Sequence, residues 1–178
     1  MQRRPLSTDI SIAPIMLGTN IFGLNRNEAD AHRLLDRFVE RGFNAVDTAD
    51  CYPHHSMTGK PGPNGALSEE IIGRWIAKTG RRDALAISTK VGEWQARRGL
   101  SAANIEAAVE DSLRRLQTDH IDVYFAHIAD PDTPQEETMH AFDRLVKSGK
   151  VRILGASHYP VPLLEEALTV SRDQGLAR

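Results

Sequence analysis

Short apolar runs alternate with longer amphipathic segments along most of this chain. In "NRNEADAHRLLDRFVERG", Ala31, Leu34, Leu35, Phe38 and Val39 recur at helical spacing and share one face. Asn27 caps that helix and Gly42 ends it. "SEEIIGRWIAKTG" predicts a second helix opened by Ser68, with Glu69 and Glu70 at the positive end of its dipole. A third, "SAANIEAAVEDSLRRLQTD", is capped by Ser101 and carries the stripe Ile105, Val109, Leu113 and Leu116. Thr133, Pro134 and Glu136 predict a capping box with proline at the first helical position. "PLLEEALTVSRDQG" predicts the last helix. Between the helices lie "FNAVD", "ALAISTKVG", "HIDVYFAH" and "VRILGASH". They are short and apolar on both faces, as strands of a helix-covered parallel sheet are. A hairpin over "RRPLSTDISI" precedes the first run, "IAPIMLGTNIFG".

The order is strand then helix, repeated at a spacing of roughly 35 residues, which is the pattern of parallel βαβ units. The class is α/β in one domain spanning 1–178. Two architectures accommodate it: a doubly wound open sheet, or part of a (β/α)8 barrel. "LGTNIFG" lacks the G-x-G-x-x-G spacing and has no helix directly behind it, which weakens the open nucleotide-binding sheet. Pro53, Gly59, Pro61, Gly62, Pro63 and Gly65 mark a long loop after the second strand, of the kind that carries function.

Composition narrows the partners. A net charge of −2, without basic clusters on one face, argues against nucleic acid. No apolar run is long enough to span a bilayer and no signal-peptide core is present. The single cysteine excludes an internal disulfide, and a reducing cytoplasm is the expected setting.

Polar residues collect where strands end: Thr19 and Asn20, Asp47, Lys90, His127, then Ser157 and His158. In both architectures that edge binds ligands. A free tyrosine is too weak an acid at neutral pH, and a lysine cation beside Tyr52 would lower its pKa. Asp47 would hold the Lys90 ammonium, and His127 would donate to a substrate oxygen. Such a set suits protonation of a carbonyl oxygen as it gains negative charge. The hydride must come from a nicotinamide cofactor.

With "LGTNIFG", "GFNAVDTADCY", "SEEIIGRWI", "ISTKVG", "SLRRLQTDHIDVYFAH" and "AFDRLVKSGKVRILGAS" in this order, the chain resembles the aldo-keto reductase family. The resemblance implies a (β/α)8 barrel, here truncated to about five βα units, with strands six to eight missing. It implies reduction of aldehydes and ketones with NADP(H). It makes Tyr52 the general acid, with Lys90, Asp47 and His127 completing the tetrad. Gly18, Thr19, Asn20 and Asp47 would lie near the nicotinamide ribose, and Ser157 and His158 would hold the carboxamide. His158 stands where the family usually has Asn, and one imidazole cannot reproduce an amide's donor–acceptor pair. The missing strands would leave open barrel edges that invite self-association.

Other residues carry weaker expectations. Phe22 and Trp94 would line the substrate pocket with Tyr52 and His127, and Tyr159 is a further rim candidate. Cys51 reads as a small packed residue pointing away from Tyr52. Asp50, His54 and His55 make no zinc set, so no metal is expected. The pairs Arg81–Arg82, Arg97–Arg98 and Arg114–Arg115 read as solvated faces. An alternative to catalysis is a non-enzymatic interaction module or an inactive fragment, resembling the channel-associated β subunits that share the barrel.

Overall fold

The computed structural model describes residues 2–53 and 66–178. His54, His55 and most of the Pro/Gly-rich loop lie outside the described residues.

The expected hairpin forms from β1 (Arg4–Pro5) and antiparallel β2 (Ser11–Ile12). Buried Asn44 ties it to the sheet, donating to Ser11 O at 2.8 Å and accepting from Ala13 N at 2.9 Å. Then come β3 (Met16–Gly18), α1 (Glu28–Glu40), β4 (Ala45–Asp47), α2 (Leu67–Thr79), β5 (Ala86–Val91) and α3 (Ala102–Leu116). The chain finishes with β6 (Ile121–Ala126), α4 (Gln135–Lys147), β7 (Val151–Ala156) and α5 (Val161–Gln174). None of these helices is long and apolar enough to cross a membrane.

Strands β3 to β7 pair in parallel, each beside its neighbour in the chain. Helices follow the same progression: α1 packs on α2, α2 on α3, α3 on α4 and α4 on α5. A doubly wound sheet reverses its strand order at a switch point, and this one does not. The described residues form an open α/β sheet wound in one direction, with β3 and β7 as edges, rather than a closed barrel. Ile15 and Met16 at one edge, and Val161 and Leu168 on the last helix, are exposed.

The core lies between strands and helices. Val46, Ile87, Val91, Tyr124 and Val151 meet Leu35, Ile72, Trp75, Ile105, Leu116 and Phe142 there. Trp75 brings its indole N–H in with a partner, Asp36 Oδ1 at 2.9 Å. Helices α2 and α3 approach most closely at Gly73: a Cβ there would stand 2.0 Å from the Arg115 carbonyl oxygen.

Two caps differ from expectation, while Asn27 and Ser101 cap as expected through Asp30 N and Asn104 N. Helix α2 starts at Leu67, so Ser68 lies inside its first turn and spends its hydroxyl on Thr19. Pro134 is itself the cap of α4, and Thr133 donates to Asp130 instead of closing a capping box. The arginine pairs are not simply solvated. Arg82 is nearly buried and donates to Asp122, His120 O, Leu85 O and Thr118. Arg115 pairs with fully buried Glu69 at 2.7 Å, and Arg97 with Asp111 at 3.0 Å. Glu69, expected at the helix dipole, also accepts from Thr89 Oγ1 at 2.5 Å.

Candidate active site

Parallel pairing brings the strand ends to one rim. Gly18 lies opposite Asp47, Asp47 opposite Ser88, Val91 opposite Ala126, and Ala126 opposite Ala156. Side chains alternate along β5, so Ser88 and Lys90 face one side while Thr89 turns to Glu69 among the helices. Asp47 receives both: Ser88 Oγ donates to Oδ1 and Lys90 Nζ to Oδ2, each at 2.7 Å. Lys90 also donates to Thr48 O at 2.7 Å, so its buried ammonium is well partnered.

The backbone of Tyr52 is fixed at both ends: its N–H donates to Ala49 O, and its carbonyl accepts from Ser68 N at the start of α2. Its ring lies 4.8 Å from Lys90 Nζ and meets the His127 ring edge-on, centroids 5.7 Å apart. All four expected residues therefore share one cluster. The expected lowering of the phenol's pKa is absent. Burial, then Asp47, Cys51 and Glu93, push Tyr52 up to about 12. The Asp47 carboxylate answers the nearby ammonium, so the phenol keeps its proton throughout the neutral range.

His127 is held from both sides. Its Nε2 is 3.0 Å from Glu93 Oε2, and its Nδ1 is 3.6 Å from Cys51 Sγ. Burial brings its pKa down to about 4, aided by Lys90 and His158 and opposed by Glu93, so the ring is neutral at pH 7. Cys51 does not point away from the site; it is buried against His127. Beside it, burial and Glu69 raise Asp50 to about 8, against Arg115 and Arg97.

The expected cofactor residues separate. Thr19 is fully buried: its N–H and hydroxyl both donate to Asp47 O, so it fastens β3 to β4. Among the described residues, no atom lies within 4 Å of where a Cβ on Gly18 would stand. Asn20 and Ser157 are half-buried, and Ser157 N donates to Ala126 O at 2.9 Å. His158 is exposed in the left-handed region, φ 51°, its ring 6.5 Å from His127. Of the expected pocket walls, Phe22 has no exposed surface and lies in the core, which takes it out of a lining role in this structure. Trp94 is half-buried with Arg97 over its ring at 5.5 Å. Tyr159 lines an apolar groove with Leu154, Phe142 and Leu164.

Sequence reasoning missed Ser88, Glu93 and the contact of Cys51 with His127. Ser88 carried a signal, since it lies two residues before Lys90 and so on the same strand face. Glu93 did too, as a carboxylate just past the end of β5.

The pattern that describes the aldo/keto reductase family matches residues 14–176. Oxidoreductase YrpG of Bacillus subtilis (strain 168), itself uncharacterized, is 38% identical over 161 residues, covering 85% of this chain and 47% of that protein. Norsolorinic acid reductase stcV of Emericella nidulans is 33% identical, covering 95% of this chain and 45% of its own. Protein tas of Escherichia coli (strain K12) is 32% identical, with 85% and 50% covered. The chain thus spans about half the length of the curated relatives it matches.

Proposed function

Because the chain belongs to the aldo/keto reductase family of oxidoreductases, we propose that it serves NADP(H)-linked reduction of aldehydes and ketones to alcohols, with Tyr52 as the acid. The observation that supports this most is the Lys90–Asp47 ion pair lying under the Tyr52 ring with His127 at the ring's edge. A scaffold has no use for a buried ammonium against a tyrosine face.

The rim suits the nicotinamide end of such a cofactor. Gly18 leaves open space beside Asp47, and Asn20, Ser157 and His158 are the residues that would hold the ring's amide and ribose. When bound, the cofactor supplies the hydride. The chain's own residues handle the proton. Tyr52 holds it on the phenol until a carbonyl oxygen beside it gains negative charge. The Tyr52 O–H bond then breaks as the alcohol O–H forms. Lys90 stabilises the phenolate left behind, and Asp47 fixes the ammonium in place. His127, neutral and with its one N–H turned to Glu93, walls the site at the edge of the Tyr52 ring. Half-buried Trp94 is the residue left to shape the substrate side.

The test is loss of NADPH absorbance with nitrobenzaldehydes, repeated with NADH. Tyr52→Phe is expected to lower kcat by ~10²- to 10⁴-fold. A Tyr52→Phe chain as fast as wild type rejects the acid. A wild-type chain that turns over no aldehyde with either cofactor rejects the reading for this chain.

A further inference from the structure

Asp50 is 1% exposed, and among the described residues neither carboxylate oxygen has a hydrogen-bond partner. A buried carboxylate without a partner is costly, so native interiors give such groups a donor, a proton or a cation. The other buried polar atoms without partners include the Tyr124 hydroxyl and Nε and Nη2 of Arg97, and none of them bonds to Asp50. Two side chains of metal-ligand type, Cys51 and His127, lie close to Asp50. One carboxylate oxygen of Asp50, Cys51 Sγ and one ring nitrogen of His127 all lie within 4.8 Å of one another.

We propose that Asp50, Cys51 and His127 form a binding site for a divalent ion of the Zn²⁺ class. Three features of the geometry carry it. First, Sγ and Nδ1 are 3.6 Å apart. Zinc holds sulfur at about 2.3 Å and imidazole nitrogen at about 2.0–2.1 Å, which in a tetrahedron places the two ligands about 3.6 Å apart. Second, Glu93 Oε2 lies 3.0 Å from His127 Nε2, on the far side of the ring. It fixes the N–H there and leaves the Nδ1 lone pair turned toward Cys51. A carboxylate behind a histidine is the usual outer support of a zinc ligand. Third, the charges close. Carboxylate and thiolate together balance a 2+ ion, so the occupied site is neutral and tolerable in a buried position. On binding, the Cys51 thiol proton and any proton on Asp50 leave to solvent, and no redox change is involved. A thiolate, an imidazole and a carboxylate favour zinc or cobalt over magnesium or calcium, which take oxygen ligands. The fourth position is left for water.

The ion would occupy His127 on the side away from Glu93. Occupancy and carbonyl reduction would therefore share one imidazole, and the site is independent of whether the chain reduces carbonyls at all.

The experiment titrates the chelator-stripped chain with Co²⁺ and follows thiolate-to-cobalt charge transfer in the near ultraviolet. Wild type is expected to show the band and to saturate at one ion per chain; equilibrium dialysis with Zn²⁺ should give the same stoichiometry. Cys51→Ser should abolish the band. Glu93→Gln, which leaves all three ligands in place, should weaken binding by ~10- to 100-fold. Wild type without a thiolate band overturns the proposal, and needs no variant to fold. Zn²⁺ binding that is unchanged in Cys51→Ser also overturns it, since the ion then sits on other histidines. None of these readouts uses NADPH turnover, so failure of the reductase reading would leave the result intact.

Discussion

Replacing Gly73 by alanine sets two well-defined effects against each other. Gly73 lies within helix α2, where alanine is favoured over glycine by about 1 kcal/mol. Propensity alone therefore predicts a more stable protein. The added Cβ, however, would stand 2.0 Å from the Arg115 carbonyl oxygen and 2.9 Å from the Leu116 carbonyl carbon. An ordinary carbon–oxygen contact is about 3.3 Å or more, so α2 and α3 must separate by roughly 1 Å. Both obstacles are backbone and cannot rotate away. Overpacking of this kind costs about 1–3 kcal/mol. Here the upper end applies, because the separation also pulls on the buried Glu69–Arg115 pair at the same crossing. The expected net loss is about 2 kcal/mol, or about 4–8 °C in Tm for a domain of this size. Urea denaturation and a thermal scan of the Gly73→Ala chain measure it. A variant as stable as wild type, or more so, would show that the helices separate freely and would refute the reasoning.

Other consequences can be tested in the same way. Glu69→Ala strands Arg115 and Thr89 in the interior, and should cost about 3–5 kcal/mol in denaturation; a loss below 1 kcal/mol would contradict this. Lys90→Met removes the cation facing Tyr52 and should lower kcat by ~10²- to 10³-fold in steady-state kinetics; a kcat within twofold of wild type would exclude Lys90 from the reaction. At Asp130, burial alone would raise the pKa, but hydrogen bonds from Leu100 N, Thr133 Oγ1 and Asp132 N outweigh it and lower it. With the folded value below the unfolded one, its stabilisation is present above about pH 4 and lost as the pH falls further. Asp130→Asn should therefore flatten the acid limb of the stability curve, and an unchanged limb would disprove the assignment.

The rim of the sheet was legible in the chain because it depends on local signals. Apolar runs mark the strands, and polar residues at their ends mark the edge, so Asp47, Lys90 and His127 could be placed before their distances were known. What escaped depends on contacts far apart in sequence. The exposure of Arg82 and Arg115 is decided by Asp122 and Glu69, 40 and 46 residues away in the chain. The cap of α4 failed as a motif because Asp130 competes for the Thr133 hydroxyl. Adjacent Cys51 and Tyr52 looked as if they should diverge, yet the turn after Ala49 brings both to His127. The sign of the Tyr52 shift was not readable either, because it depends on how much of the Lys90 charge Asp47 already answers.

The register between β4 and β5 has a consequence for how a preparation of this protein can be judged. Asp47 lies opposite Ser88, and every polar contact along that rung follows from this one pairing. If β5 slipped by a single residue, Thr89 would turn into the site, and Ser88 and Lys90 would turn toward the helices. The Lys90–Asp47 and Thr89–Glu69 bonds would then be lost together, on opposite faces of the same strand. No half-registered chain keeps a weakened version of the cluster. After refolding, the fraction of chains with an assembled site therefore counts correctly threaded molecules one by one, and a low yield would mean fewer good copies, each with a complete site.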